Sequence, residues 1–164
     1  MKLTADKIVE LKELQQRLQR WQAVGEKVVF TNGCFDILHL GHIDYLEKAR
    51  HLGDRLIIGL NTDSSVKRLK GKDRPLNDQY ARARTLAALA FVDGVTYFEE
   101  ETPYELIRQL NPDILVKGND YLAENIVGAD LVLANGGKVE TIEIVKGYST
   151  TNIIEKIKQQ NKEK

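Results

Sequence analysis

The stretch KVVFTNGCFDILHLGHIDYLEKAR, residues 27 to 50, changes character twice. Its opening, KVVFTN, is a short run rich in β-branched residues, the composition of a buried strand. From residue 42 to 51 the pattern is helical. Between the two lies NGCFDILHLGH, where His39 and His42, two of the chain's three histidines, sit with only Leu40 and Gly41 between them.

Outward from this unit the same alternation repeats. Runs of strand character occur at DRLIIGLN (54 to 61), GVTYF (94 to 98), DILVKG (113 to 118) and KVETIEI (138 to 144). Helical patterns fill 78 to 92, 102 to 110, 124 to 135 and 149 to 160, while Lys67, Arg68, Lys70, Lys72 and Arg74 read as a loop after the second strand. Strands alternating with helices imply an α/β fold: a Rossmann-like parallel sheet of about five strands, helices on both faces, right-handed crossovers.

Ahead of the first strand, residues 4 to 22 place Ile8, Leu11, Leu14 and Leu18 three and four apart, with Thr4 available as a cap. This is an amphipathic N-terminal helix, read as packing or dimer surface. The chain thus divides into a helical extension, 1–25, and a domain carrying the chemistry, 26–160. In open parallel sheets ligands bind beyond the carboxyl ends of the strands, where strand order reverses. The segments to inspect are 31 to 42, 61 to 74, 117 to 121 and 146 to 152.

Composition narrows the function. At 164 residues and 42% hydrophobic, the chain is long enough to bury a core of its own. Twenty-four Lys plus Arg balance 24 Asp plus Glu, so no global field draws it to nucleic acid or to an acidic membrane, and any anion must be held locally. Cys34 is the only cysteine, which excludes an internal disulfide framework and a multi-cysteine zinc site and fits a reducing compartment; cytoplasm is the expectation. The amino terminus lacks the apolar core of a signal peptide, and no run of about 18 apolar residues is present to span a bilayer.

Two phosphate signatures are missing. G-x-G-x-x-G does not follow the first strand and G-x-x-x-x-G-K-[ST] occurs nowhere, so nicotinamide chemistry and P-loop hydrolysis lose ground. Gly33 instead frees the backbone to turn closely, and Gly41 lets two imidazoles approach one point at a helix start, where backbone amides bind anions. Preorganised donors of this kind, aimed at a phosphate that gains charge in a transition state, can be worth roughly 3 kcal/mol each. The plain alternatives are a satisfied surface pair, or metal ligands at helical spacing.

GCFDILHLGH resembles the G-[TS]-F-D-x-x-H-x-G-H signature of the nucleotidyltransferase superfamily that includes cytidylyltransferases and pantetheine-phosphate adenylyltransferase. GLNTDSSVKRLKGKDRPLNDQYARARTLAALAFVD, ILVKGNDY and GYSTTNII are similar to the branch of adenylyltransferases that makes ADP-heptose from D-glycero-β-D-manno-heptose 1-phosphate, a precursor of lipopolysaccharide and cell-surface heptose, and the likeness runs from about residue 27 to about 157. In many bacteria that domain is fused to a sugar kinase; the resemblance implies the free-standing version here, with the leading helix as a short extension.

The resemblance implies ATP with Mg²⁺ and a sugar 1-phosphate as reactants, no nucleic acid or membrane partner, and no protein-held metal. It makes His39, His42 and Lys70 the catalytic groups. Nucleotide binding falls to Gly33, Cys34, Phe35, His39, His42, Lys117, Gly118, Asp120, Tyr148, Ser149, Thr150 and Thr151. Substrate binding falls to Asp36, Asn61, Lys70, Arg74 and Arg82.

Several of these residues also have ordinary readings. Asp36 before a helix is equally a cap or a loop holder. Cys34 stands where the signature has Thr or Ser and reads as a small buried residue. Arg82 reads equally as the partner of a carboxylate, and one of Ser149, Thr150 and Thr151 as a helix cap. Lys146 stands where some relatives carry an arginine. Two other functions remain open: a cytidylyltransferase for glycerol 3-phosphate or a related alcohol phosphate, and a non-catalytic nucleotide-sensing module. The first helix and the apolar TLAALAFV allow a homodimer.

Overall fold

The computed structural model describes residues 3–119 and 125–162. Five parallel strands, β1 (Val28–Gly33), β2 (Arg55–Asn61), β3 (Gly94–Phe98), β4 (Ile114–Gly118) and β5 (Lys138–Ile142), form one sheet in the order β3-β2-β1-β4-β5. The chain builds outward from β1 through β2 to β3, then returns to the other side of β1 for β4 and β5. Strand order therefore reverses between β1 and β4, where Val29 pairs with Ile114 and Phe30 with Leu115. This is the position at which such sheets leave a crevice beyond the strand ends.

The pleat sends alternate side chains to opposite faces, and both faces are covered. Val29, Leu56, Ile58, Leu60, Val95, Ile114 and Val116 pack under α2 (Leu40–Arg50) and α4 (Gln79–Ala88) through Leu46, Ala49, Ala83, Leu86 and Ala87. Val28, Phe30, Ile57 and Leu115 pack against α1 (Leu11–Ala23), α5 (Tyr104–Leu110) and α6 (Ala129–Ala134) through Leu14, Leu18, Ile107 and Val132. The remaining helices are α3 (Asp63–Lys70) and α7 (Thr150–Lys162).

Two elements differ from the sequence reading. The N-terminal segment is not one helix from residue 4: Thr4–Lys7 is a 3₁₀ turn, Ile8 forms a β-bridge with Val95, and α1 begins only at Leu11. A tertiary backbone contact overrides the helical spacing there. Leu14 and Leu18 are fully buried in the chain's own core, so the apolar stripe of α1 packs against the sheet, as do Leu86 and Ala87 of TLAALAFV. The second difference is α3, expected as loop. Its start is fixed by Thr62, whose hydroxyl accepts from the Ser65 amide, and its end by Gly71 at φ 98°, a left-handed conformation that glycine adopts without strain.

Candidate active site

The site is built at the carboxyl ends of β1 and β4. Tyr45 of α2 spans the reversal point from beneath: its hydroxyl pairs with Thr31 Oγ1 at 2.8 Å and donates to the Val116 carbonyl at 3.1 Å. Lys117 at the end of β4 donates to Asn32 Oδ1 at the end of β1.

Above these strand ends the signature loop is tightly folded. Phe35 has φ 45°, unusual for a residue with a side chain and a mark of a conformation imposed by its surroundings. Its ring lies across Gly33, where a Cβ would meet Phe35 Cε2 at 3.0 Å, and beside His42, with ring centroids 5.2 Å apart. Gly33 is needed for this close approach. Gly41 answers to the same logic, because a Cβ there would sit 3.1 Å from His39 Cε1 and Nδ1. His39 precedes α2 in an extended conformation and His42 lies in the first turn.

The two imidazoles are stacked, with centroids 3.8 Å apart and planes inclined by 25°. His39 Nδ1 and His42 Nδ1 are buried without a hydrogen-bond partner among the described residues. Burial disfavours the charged form of both rings: the His39 pKa lies below its ordinary value, and His42 falls to about 4 through burial first and its neighbour His39 second, with the Ile37 carbonyl pulling the other way. Buried polar atoms normally find partners, so two that do not, in one loop at a sheet's reversal point, mark a place where a ligand supplies them.

Two adjoining cavities at this site, about 510 and 470 Å³, share a floor. Asn32, Gly33, Cys34, Phe35, His42, Lys70, Lys117 and Thr150 line both. The smaller adds His39, Gly118, Tyr148 and Ser149; the larger adds Asp36, Asn61, Arg74 and Thr151. At α7 the Ser149 hydroxyl accepts from the Asn152 amide at 3.0 Å and so is the cap, while the Thr150 hydroxyl donates to the Ile37 carbonyl at 3.4 Å and ties α7 to the signature loop. Lys70 ends α3, and its ammonium has no carboxylate partner among the described residues. That helix is pinned by Glu99, which accepts from Thr62, from Ser64 at 2.7 Å and from Arg68 at 2.8 Å; these donors hold its carboxyl at about 2.

Two of the substrate contacts expected from sequence are placed differently. Arg82 lines neither cavity. Its side chain is fully buried and donates to the Cys34 carbonyl at 2.6 Å, the Asn77 carbonyl at 3.1 Å and Asp63 Oδ1 at 2.8 Å. It joins the signature loop, the 71–78 loop and α3, and no face of it is left for substrate. Asp36 touches the larger cavity, but its side chain is 1% exposed and both oxygens are occupied, by Arg74 Nε at 2.6 Å and by the amides of Leu76 and Asn77. Burial alone would raise its pKa; the Asn77 and Leu76 amides and Arg74 outweigh that and lower it. Arg74 keeps a place on the cavity wall while holding Asp36. Lys146 is exposed and outside both cavities. Asp120 lies outside the described residues.

Sequence reasoning did not single out Asn32, Tyr45, Glu101, Thr102 or Asn125, all of which line the site. Asn32 had a readable signal, a polar residue ending a strand beside the signature glycine. The others reach the site only through tertiary placement.

A parallel sheet whose reversal point carries paired imidazoles, a lysine with no carboxylate partner among the described residues and a helix start is the framework of a nucleotide-handling transferase. The chain belongs to the cytidylyltransferase-like family, whose model matches residues 30–156. It is 58% identical over 156 residues to the bifunctional protein HldE of Magnetococcus marinus, covering 95% of this chain and 32% of that protein. With the bifunctional protein HldE of Marinomonas sp. it shares 56% identity over 149 residues, 91% of this chain and 31% of the relative. The chain thus spans about a third of the length of these curated relatives. Among solved structures it is similar to the lipopolysaccharide core biosynthesis protein from Thermoplasma volcanium GSS1, with TM-score 0.59 and 33% identity, covering 76% of this chain and all of that one.

Proposed function

We propose that this protein transfers AMP from ATP to D-glycero-β-D-manno-heptose 1-phosphate, giving ADP-heptose and pyrophosphate. The observation that carries the phosphoryl chemistry is the stacked His39–His42 pair with both Nδ1 atoms buried and without a partner among the described residues. The choice of sugar is supported by the resemblance of residues 59–93, 114–121 and 147–154 to ADP-heptose-forming enzymes, by 58% identity to a bifunctional HldE, and by the solved relative's place in lipopolysaccharide core biosynthesis.

An oxygen of the sugar phosphate attacks the α-phosphorus of ATP, the bond to the β-phosphate oxygen breaks, and pyrophosphate leaves in line. The attacking oxygen is already anionic at neutral pH, so no general base is required. The chain supplies positioning and charge neutralisation: Lys70 offers a mobile point cation, and the imidazoles offer N–H donors from a water-poor wall. No group of three His, Cys, Asp or Glu side chains suited to a metal ion occurs among the described residues, and Asp36 is fully engaged. Mg²⁺ would enter as the companion of the ATP phosphates and would supply neutralisation of their charge. A reaction between soluble reactants, with no helix long and apolar enough to cross a membrane among the described residues, fits a cytoplasmic enzyme.

The test is pyrophosphate release, coupled to pyrophosphatase, from ATP and separately CTP, each offered heptose 1-phosphate and glycerol 3-phosphate. Release from ATP with heptose 1-phosphate alone is expected. Release from CTP with glycerol 3-phosphate would move the protein to the cytidylyltransferase branch, and silence in every combination would leave nucleotide sensing.

A further inference from the structure

The two cavities share a floor and then diverge, one toward Tyr148 at α7 and the other toward the β3–α5 connection. In-line displacement needs such a fork, because the attacking group and the departing one occupy opposite sides of the phosphorus. Cations mark the acceptor's phosphate: Lys70 lies on the shared floor and Arg74 only in the larger cavity. Lys117 adds a third cation on the shared floor. The rest of the larger cavity's lining includes Asn61, Thr102 and Asn125, the Glu101 carboxylate, and apolar Pro103 and Ile126; the other carboxylate, Asp36, is already engaged by Arg74 and two amides.

Glu101 is the last of three consecutive glutamates, and the three are used differently. Glu99 is pinned by Thr62, Ser64 and Arg68, and the Glu100 carboxylate accepts from the Glu99 amide at 3.0 Å. Glu101 makes neither hydrogen bond nor ion pair with a described residue, although three cations, Lys70, Arg74 and Lys117, line the same cavity. A free carboxylate on the wall of an anion-binding cavity repels phosphate, so it must meet another part of the ligand. No further acidic or imidazole groups join it to form a metal cage among the described residues. Carboxylates accept two hydroxyl hydrogen bonds at once, and such charge-assisted bonds are short and strong.

Resting on the adenylyltransferase reading above, we infer that Glu101 determines acceptor specificity by accepting hydrogen bonds from neighbouring hydroxyls of the sugar whose phosphate lies against Lys70 and Arg74. The hydroxyl-rich face meets Glu101, Thr102 and Asn125, while the C–H face meets Pro103 and Ile126.

The experiment compares Glu101→Gln and Glu101→Ala with the parent in steady-state pyrophosphate release, varying heptose 1-phosphate, ATP and Mg²⁺ in turn. A panel of hexose 1-phosphates that lack or invert single hydroxyls completes it. Glu101 is exposed, so both variants fold. Losing a hydrogen bond to a charged group raises KM for heptose 1-phosphate on the order of tenfold to a hundredfold, more for Ala than for Gln. KM for ATP stays within about twofold, the Mg²⁺ dependence is unchanged, and the parent's preference for heptose over the weaker hexose acceptors collapses. An unchanged heptose 1-phosphate KM in both variants overturns the inference. So does an effect that falls instead on ATP, placing Glu101 at the base, or on Mg²⁺, making it a ligand of the metal's waters. A parent inactive with every sugar 1-phosphate overturns the adenylyltransferase reading itself, whereas an active parent indifferent to Glu101 overturns only this assignment.

Discussion

Two polar clusters sit within a few residues of each other on the signature loop and obey opposite rules. Around Arg82 and Asp36 the guanidinium and the carboxylate are fully buried, and both are paired with backbone or side-chain groups from distant segments. At His39 and His42 two buried nitrogens have no partner among the described residues. Satisfied polar groups fix a loop, and unsatisfied ones wait for a ligand. Charge and burial alone would have ranked Arg82 and Asp36 as the stronger functional candidates; counting hydrogen bonds reverses the order.

The comparison breaks first at Arg82. Arg82→Ala strands the Asp63 carboxylate and two loop carbonyls, and removing one member of a buried pair costs about 3–5 kcal/mol. A thermal melt should show a fall of roughly 10 °C or more. If Arg82 were a substrate contact, the melt would stay put and only KM for the sugar phosphate would rise.

His42→Ala should do the reverse. Turnover falls by about 10²–10³, as for loss of one preorganised donor to a developing anion, while the nucleotide Kd and the melting temperature change little. Turnover near the parent's would place the histidines with the structural cluster.

Stability against pH separates the clusters further. His42 has a folded pKa of about 4 against an ordinary 6.5, so the unfolded chain takes up the proton first, and the free protein loses stability as pH falls from 6.5 toward 4. Asp36 has a lowered pKa, so its contribution is present above the ordinary carboxylate value and is lost only below it. Urea unfolding at pH 7.5, 5.5 and 4.5 should show a decline in the first window that His42→Asn flattens. The smallest effect belongs to Cys34, whose carbonyl serves the structural cluster and whose thiol makes only a 3.9 Å contact with Asn61. Cys34→Ser keeps the carbonyl and should shift stability by about 0.5 kcal/mol or less and KM by about twofold or less.

Much of this was legible before any coordinates. β-branched runs between helical patterns fix the strands and hence the parallel sheet, and the reversal point follows from the fold class. His39, His42 and the glycines beside them are adjacent in sequence, so their meeting is a local event. The missed features are tertiary. The segment DSSVKRLK carries too few apolar residues to announce α3, which is instead held by Glu99 from another strand's end. Arg82 takes its three partners from three segments, and the glutamates at 99–101 look alike until the fold points only the last into the cavity.

The most direct measurement is a side-chain ¹⁵N NMR titration of His39 and His42, free and with saturating ATP and Mg²⁺. With the rings facing phosphate, His42 should titrate near about 4 in the free protein and move upward by a unit or more when the nucleotide binds, because a nearby anion favours the imidazolium. Saturated nucleotide binding with both histidine titrations unmoved would contradict the placement of a phosphoryl group between them.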